Sequence, residues 1–182
     1  KAVGQCLPTM EVKIVDDEGN EMPPGATGEI LLAGTKTFKG YWKKEEATRQ
    51  TIVDGWVHTG DIGKIDDEGF IYILDRKKDM IICSGYNVYP REIEEVLTTH
   101  PQLMEAAVIA LPDAIWGERV HACVILREGQ KVSQEEIKGF CKQRLADFKV
   151  PASISFHADF PRTGPTKIQK PHLVDLVTGG KI

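Results

Sequence analysis

Four stretches of this chain hold residue types whose chemistry goes beyond packing. In Gly55-Trp56-Val57-His58-Thr59-Gly60-Asp61 a carboxylate follows a glycine turn. Such an aspartate ordinarily shapes the turn or caps a helix. Ionised, it is acceptor-only, so it can equally take hydrogen bonds from both hydroxyls of a cis-diol such as a ribose. The second stretch is Leu74-Asp75-Arg76-Lys77-Lys78-Asp79-Met80-Ile81-Ile82-Cys83-Ser84-Gly85-Tyr86-Asn87-Val88-Tyr89-Pro90-Arg91-Glu92-Ile93-Glu94. The Arg76 guanidinium offers a fork of donors suited to ribose or phosphate oxygens, and Ser84-Gly85 offers small residues where a backbone can approach a slender ligand. The plain alternative is a charged turn, a strand, and a glycine loop leading into a helix begun by proline. In the third, Phe160-Pro161-Arg162-Thr163-Gly164-Pro165-Thr166-Lys167-Ile168-Gln169-Lys170, Lys167 is either a solvated charge or an ammonium that stabilises charge developing on phosphate or carboxylate oxygens. It is not a Walker loop, because the Gly-x-x-x-x-Gly-Lys-[Ser/Thr] spacing is absent. The fourth, Gly28-Glu29-Ile30 running to Gly40-Tyr41-Trp42 and Thr48, reads as core and turn packing.

These residues need elements to hold them. Glu11-Val12-Lys13-Ile14-Val15 alternates polar and apolar and is followed by the turn-forming run Asp16 to Asn20, while Gly28 to Leu32 forms a second short strand. Ile62 to Ile65 and Phe70 to Leu74 flank Asp66-Asp67-Glu68-Gly69 as a hairpin. Lys43 to Gln50 has room for one or two helical turns. After the five consecutive charges Asp75 to Asp79 the pattern changes. A helix starts at Pro90, buries Ile93, Val96 and Leu97, and stops at His100-Pro101. Strands follow over Glu105 to Ala110, Val120 to Leu126 and Ser153 to His157. Ser133 with Glu136 predicts a capping box opening a helix whose apolar face is Ile137, Phe140, Cys141 and Leu145, and a last helix covers Ile168 to Val177. The fold class is α+β: a β-rich, barrel-like segment followed by a small α+β unit, divided into residues 1–76 and 77–182.

Composition narrows the classes of function. The 182 residues carry 23 Lys+Arg against 27 Asp+Glu, a formal net charge of −4, so nucleic-acid binding would need a local basic stripe that the chain lacks. Hydrophobic residues at 41% supply a core. No apolar run reaches the ~18 residues of a membrane span, and the first residues, Lys1-Ala2-Val3-Gly4-Gln5, have neither the apolar stretch of a signal peptide nor an initiator Met. The chain is therefore expected to be a piece of a longer protein. Cys6, Cys83, Cys123 and Cys141 show no Cys-x-x-Cys spacing, which points to reduced thiols and a cytoplasmic setting without a metal site.

Taken in this order and spacing, the four stretches resemble the C-terminal part of the adenylate-forming enzymes: acyl-CoA synthetases, firefly-luciferase-like enzymes and the adenylation domains of peptide synthetases. The resemblance runs from about Gly4 to Lys170. It is most like the medium- and long-chain fatty acyl-CoA synthetases, through Asp75-Arg76-Lys77-Lys78-Asp79-Met80-Ile81-Ile82 and Asn87-Val88-Tyr89-Pro90. The fold it implies is the end of a large N-terminal domain followed by a small mobile C-terminal lid domain. The cofactors and substrates it implies are ATP, Mg, a carboxylic acid and CoA.

By that resemblance Asp61 binds the ribose hydroxyls of ATP, and Arg76 supports the ribose or nearby phosphates. Lys167 is the adenylation lysine that bridges the carboxylate and the α-phosphate. Lys78 is the hinge about which the small domain rotates between acyl-AMP formation and transfer to a thiol. Ser84 and Gly85 border the pantetheine tunnel of CoA-using relatives, with Trp116 and Phe148-Lys149 near the CoA nucleotide. Departures are visible: Thr166 precedes the lysine where many relatives have Gly, and Cys83 and Tyr86 stand where fatty-acid enzymes often have Ser and Glu. The phosphate loop, adenine and acyl pockets and magnesium-binding motif of the resembled enzymes would precede residue 1, in a missing N-terminal domain. The 182 residues alone are thus expected to show little or no ligase activity. A module that loads a carrier protein, and a non-catalytic interaction module, are the competing readings.

Overall fold

The computed structural model describes residues 1–179, and the chain divides into two compact units, Lys1–Lys78 and Asp79–Ile182. The first is a single antiparallel sheet. Its strands are β1 (Gly4–Gln5), β2 (Met10–Val15), β3 (Gly28–Gly34), β4 (Ile52–Val53), β5 (Trp56–Ile65) and β6 (Phe70–Arg76), with a short helix α1 (Glu45–Thr51) entering β4. They lie in the order β1-β6-β5-β3-β2, with β4 also on β5. This order has two ends, so the β-rich segment is an open sheet and not a closed barrel. The hairpin between β5 and β6 turns on Asp66, whose Oδ1 accepts the Glu68 and Phe70 N–H groups at 3.1 and 2.8 Å while Oδ2 accepts the Tyr72 hydroxyl at 2.9 Å. At Gly63, a Cβ would strike the Tyr72 carbonyl oxygen and the Ile30 side chain; only glycine lets β5 sit against both neighbours.

The second unit is layered on both faces of a sheet. Its elements are β7 (Ile81–Cys83), β8 (Tyr86–Val88), α2 (Pro90–Thr98), β9 (Leu103–Asp113), β10 (Gly117–Leu126), α3 (Gln134–Lys142), β11 (Ser153–Phe156), β12 (Arg162–Thr163), β13 (Lys167–Ile168) and α4 (Lys170–Thr178). The strands run β11-β10-β7-β8 with β9 antiparallel to β10 and β11 parallel to it. Because side chains alternate along a strand, β9 and β10 feed two cores. Val108, Val120, Ala122 and Val124 meet Ile93 and Leu97 of α2 and Ile137 and Cys141 of α3. On the other face Ala107, Ile109, Cys123 and Ile125 meet Phe160 and Leu173 of α4. Burial on both faces explains why these strands read as continuous apolar runs.

Helix ends follow the local rules. Proline occupies the first turn of α2, and Ser133 caps α3 through the reciprocal box with Glu136, 3.2 Å to the Glu136 N–H and 2.8 Å from the Ser133 N–H. The α3 helix stops at Lys142, yet Leu145 still packs on the core. All four cysteines are free thiols, with Cys123 and Cys141 buried; burial pushes the Cys141 thiol up to about 11.

Two histidines, His100 and His121, are buried inside the second unit. His121 is 4% exposed, its Nδ1 2.7 Å from Ser153 Oγ and its Nε2 2.8 Å from Ser155 Oγ. Burial, with the neighbouring His157, lowers its pKa from 6.5 to about 4. The unfolded histidine therefore takes up a proton that the folded one refuses between those two values. Its contribution to stability is complete above pH 6.5 and is lost as pH falls to about 4, on the order of 3 kcal/mol. Urea unfolding at pH 7 and pH 4.5 checks this: the wild-type chain loses stability across the window and His121→Gln loses much less, whereas equal losses would exclude His121 as the cause.

Candidate functional site

The sequence motif around Asp61 folds as a bulge. Strand β3 pairs Glu29 with Ile62 and then Leu31 with His58, so Thr59, Gly60 and Asp61 are pushed out of that ladder. Local bonds replace the missing ones. The Thr59 hydroxyl donates to the Ile30 carbonyl at 2.7 Å and accepts the Asp61 N–H at 3.0 Å. The Gly60 N–H donates to Glu29 Oε1 at 3.2 Å. Gly60 has φ +68°, a left-handed conformation that glycine adopts without penalty. On the other side β6 carries one extra residue, Leu74, between its pairs with Ile62 and Gly63. Beyond it Asp61 and Arg76 face each other in register, with Arg76 Nε 3.2 Å from Asp61 Oδ1. The Arg76 side chain is half exposed and Asp61 is a quarter exposed, so this pair presents acceptor oxygens and guanidinium donors side by side at the surface.

Beneath the bulge lies a residue that the sequence reading placed in plain packing. Glu29 is 7% exposed, and it receives Gly60 N–H on Oε1, Lys77 Nζ at 3.1 Å on Oε2, and His58 Nδ1 at 3.4 Å. Burial pushes its carboxyl up, but the Lys77 ammonium, His58 and the Gly60 amide outweigh that and hold it below the usual range. Burial likewise depresses Lys77, and its bonds to Asp17 (3.1 Å) and Glu29 reverse the sign and raise it. The available signal was a lone acid within the apolar strand Gly28-Glu29-Ile30-Leu31-Leu32, since a charge is placed there only with partners. Lys78 follows in the turn Lys77–Asp79 and is the last residue of the first unit.

In the second unit Lys167 sits on a two-stranded hairpin, opposite Thr163 across the loop Gly164-Pro165-Thr166. The base of the hairpin is fixed. Arg162 Nη2 lies 2.5 Å from Glu105 Oε2 on β9, Gln169 Nε2 donates to Thr163 Oγ1 at 2.6 Å, and Lys170 Nζ lies 2.8 Å from Glu94 on α2. Lys167 itself is exposed, with no side-chain partner among the described residues. A rooted stem with a free ammonium at its tip is the arrangement needed to carry charge to an anion.

Ser84 and Gly85 form the two-residue turn between β7 and β8, both with positive φ, +53° and +81°. Non-glycine residues rarely adopt that conformation, and here the Ser84 N–H donates to the Trp116 carbonyl at 3.1 Å. A cavity of about 440 Å³ opens beside this turn, lined by Ser84, Tyr86, Trp116, Arg119 and Phe148 among others. Tyr86 and Phe148 stack with centroids 4.7 Å apart. Trp116 is presented by Asp113, whose Oδ1 accepts the Ile115 and Trp116 N–H groups at 2.9 Å while Oδ2 pairs with Arg119 at 2.6 Å. So Ser84, Trp116 and Phe148, far apart in sequence, border one groove.

Comparison with known proteins decides the family. Residues 92–167 match the AMP-binding enzyme C-terminal domain and residues 1–42 match the AMP-binding enzyme family. This chain belongs to the adenylate-forming, AMP-binding enzymes. It is 44% identical over 98% of its length to the fatty acid–[acyl-carrier-protein] ligase ScoC of Streptomyces coeruleorubidus, covering 34% of that protein. It is 43% identical over 97% of its length to a long-chain-fatty-acid–CoA ligase of Bacillus subtilis, covering 32% of it. Among solved structures it superposes on the o-succinylbenzoate CoA synthetase MenE of Bacillus subtilis, held in complex with its acyl-adenylate intermediate, with TM-score 0.88 and 39% identity over 94% of this chain and 35% of that one. The chain thus spans about a third of the length of the relatives it matches. Of the residues singled out above, Lys167 closes the C-terminal match, whereas Asp61, Arg76, Lys78, Ser84 and Gly85 fall between the two matched stretches.

The bulge geometry yields a test. Thr59→Val keeps the side-chain shape but removes the donor to Ile30 and the acceptor for Asp61, stranding partly buried partners at a cost of about 1–3 kcal/mol. Chemical denaturation should show that loss and hydrogen exchange should show a faster Asp61 amide, with Thr59→Ser close to wild type on both. Wild-type behaviour of Thr59→Val would mean that the strand ladder, not the hydroxyl, holds Asp61.

Proposed function

We propose that this chain is the carboxy-terminal third of an ATP-dependent acid–thiol ligase that activates a carboxylic acid, a fatty acid, as acyl-AMP and passes it to CoA. The observation that carries the reading is the in-register Asp61–Arg76 pair on a bulge. An ionised carboxylate beside a guanidinium complements a ribose whose hydroxyls donate and whose phosphates accept. A non-catalytic module would have no use for that pair together with a free ammonium on a braced hairpin.

In this reading Asp61 accepts hydrogen bonds from the ribose hydroxyls and Arg76 orients the sugar or its phosphates. A carboxylate oxygen of the acid attacks the α-phosphorus; the bond to the bridging oxygen breaks and pyrophosphate leaves. Lys167 contributes by placing one positive charge between two anions that must meet, lowering their repulsion and stabilising charge on the α-phosphate oxygens. In the second step a thiol sulfur bonds to the acyl carbon, AMP departs, and the thiol proton is released to solvent. The groove beside Ser84 and Gly85, walled by Tyr86, Trp116 and Phe148, takes the pantetheine arm that brings the thiol, and Lys78 serves as the hinge between the two steps. Magnesium is assigned to a motif outside this chain, as the resemblance implies. Four free thiols fit a reducing, cytoplasmic setting.

Transfer to a carrier protein is the second reading, favoured by the 44% identity to a relative named as an acyl-carrier-protein ligase. The two acceptors share the phosphopantetheine arm and therefore the same groove.

ATP–pyrophosphate exchange by the full-length protein across a panel of carboxylic acids, with Lys167→Ala beside wild type, tests the proposal. Acid-dependent exchange that falls about 10²–10³-fold in the variant is the expected result. Exchange unaffected by the substitution would remove Lys167 from its role, and no exchange with any acid would favour a non-catalytic module. The isolated 182 residues should form no acyl-AMP; a rate comparable with the full-length protein would overturn that part.

A further inference from the structure

We propose that Glu29 is a positioning residue that ties the ribose-binding bulge to the root of the hinge, so that the nucleotide site and the turn where the first unit ends share one carboxylate. This rests on the reading of Asp61 and Lys78 given above and assigns a role that neither motif carries by itself.

The two oxygens of Glu29 have separate duties. Oε1 accepts the Gly60 N–H, one residue before Asp61, and Oε2 accepts Lys77 Nζ, one residue after Arg76 and one before Lys78. The carboxylate therefore brackets the Asp61–Arg76 pair from both sides. It sits in the gap left where β3 and β5 stop pairing, between Glu29–Ile62 and Leu31–His58. Without it the Gly60 N–H would have no acceptor there. Lys77 is held in turn by Asp17 Oδ1 at 3.1 Å, so the last residue before Lys78 is pinned to the sheet by two carboxylates. A charge 7% exposed that contacts the backbone of one motif and the side chain of the next does more than fill space. It transmits a shift at either place to the other, because the carboxylate cannot move toward one donor without leaving its partner.

The roles separate by substitution. In Glu29→Gln the amide oxygen still accepts from Gly60, but one of the two charges that hold Lys77 is gone; Lys77→Met removes that pairing, together with the one to Asp17, from the other end. In the full-length protein, both should leave KM for ATP within about threefold while lowering thioester formation about tenfold relative to ATP–pyrophosphate exchange, and the double variant should be no worse than either single one. Cleavage before Asp79 by an aspartate-directed protease should rise about tenfold in both, with cleavage before Asp16 and Asp66 unchanged. Glu29→Ala should in addition raise KM for ATP. Unchanged cleavage and an unchanged ratio of the two rates in Glu29→Gln and Lys77→Met would overturn the proposal. So would additive effects in the double variant, or cleavage rising equally at every site, which marks a carboxylate that only stabilises the sheet. Asp61→Asn is the control for the underlying reading: if it leaves KM for ATP unchanged, the ribose assignment fails, while the cleavage before Asp79 still decides whether Glu29 and Lys77 act as a pair.

Discussion

A carboxylate removed from water persists only where donors reach both its oxygens, and the first unit is arranged around one such group. Glu29 is 7% exposed, and its desolvation is offset by Lys77, His58 and the Gly60 amide. Each partner imposes geometry. The amide requires β5 to leave β3 at Thr59 and rejoin it at Ile62. The ammonium requires Lys77, the first residue beyond β6, to direct its side chain to Glu29 and Asp17. Gly63 then lets β5 close tightly on Ile30 and Tyr72, so the departure of the bulge is a local detour in an otherwise tight sheet. Asp61 and Arg76 meet at the surface in strand register, with the Gly60 amide before the one and the Lys77 side chain after the other tied to the same buried charge.

The second unit solves a different problem, namely covering a sheet on both faces with little chain. Alternate residues of β9 and β10 enter separate cores, one under α2 and α3 and the other under α4. The second face also admits a buried polar side chain, and there Ser153 and Ser155 satisfy both nitrogens of a neutral His121. The same face roots the β12–β13 hairpin. Phe160 and Ile168 pack into it, Arg162 pairs with Glu105 of β9, and Lys170 reaches Glu94 of α2. Lys167 projects from a stem that cannot easily sway, so its charge can be directed without the entropic loss of ordering a floppy loop.

Much of this was legible in residue order. The α+β class, the hairpin at Asp66, the proline-started helix and the Ser133–Glu136 box follow from local rules about turns and caps. Thr59-Gly60-Asp61 and Ser84-Gly85 are likewise short enough for turn chemistry to position them. What local rules miss is partnership across sequence. Nothing near Glu29 announces Lys77, 48 residues away, and periodicity assigns that strand to packing. The open edges of the first sheet were equally hidden, because whether strands close into a barrel depends on which non-adjacent strands pair. Asp113 escaped notice too, since its value lies in two backbone donors that exist only once β9 turns into β10.

The placement of the working groups within the second unit bears on why a ligase would mount it on a hinge. The hairpin of Lys167 is seated through Ile168 on the core beneath α4, whereas the Ser84–Gly85 turn and its groove are seated through Cys83, Phe148 and Val150 on the core beneath α2 and α3. These cores lie on opposite faces of one sheet, and a packed sheet between them does not deform enough to bring its two sides to the same point. The hairpin that carries the ammonium and the turn that borders the groove are thus seated on opposite faces of the same sheet. If the ammonium assists formation of acyl-AMP and the groove admits the thiol that consumes it, the unit must turn between the steps, and the turn must occur where the chain is single. Lys78, the hinge proposed above, is the last residue of the first unit. In the ligase proposed above, acyl-AMP and pyrophosphate form together with Lys167 at the nucleotide, and the thiol is admitted only after that step.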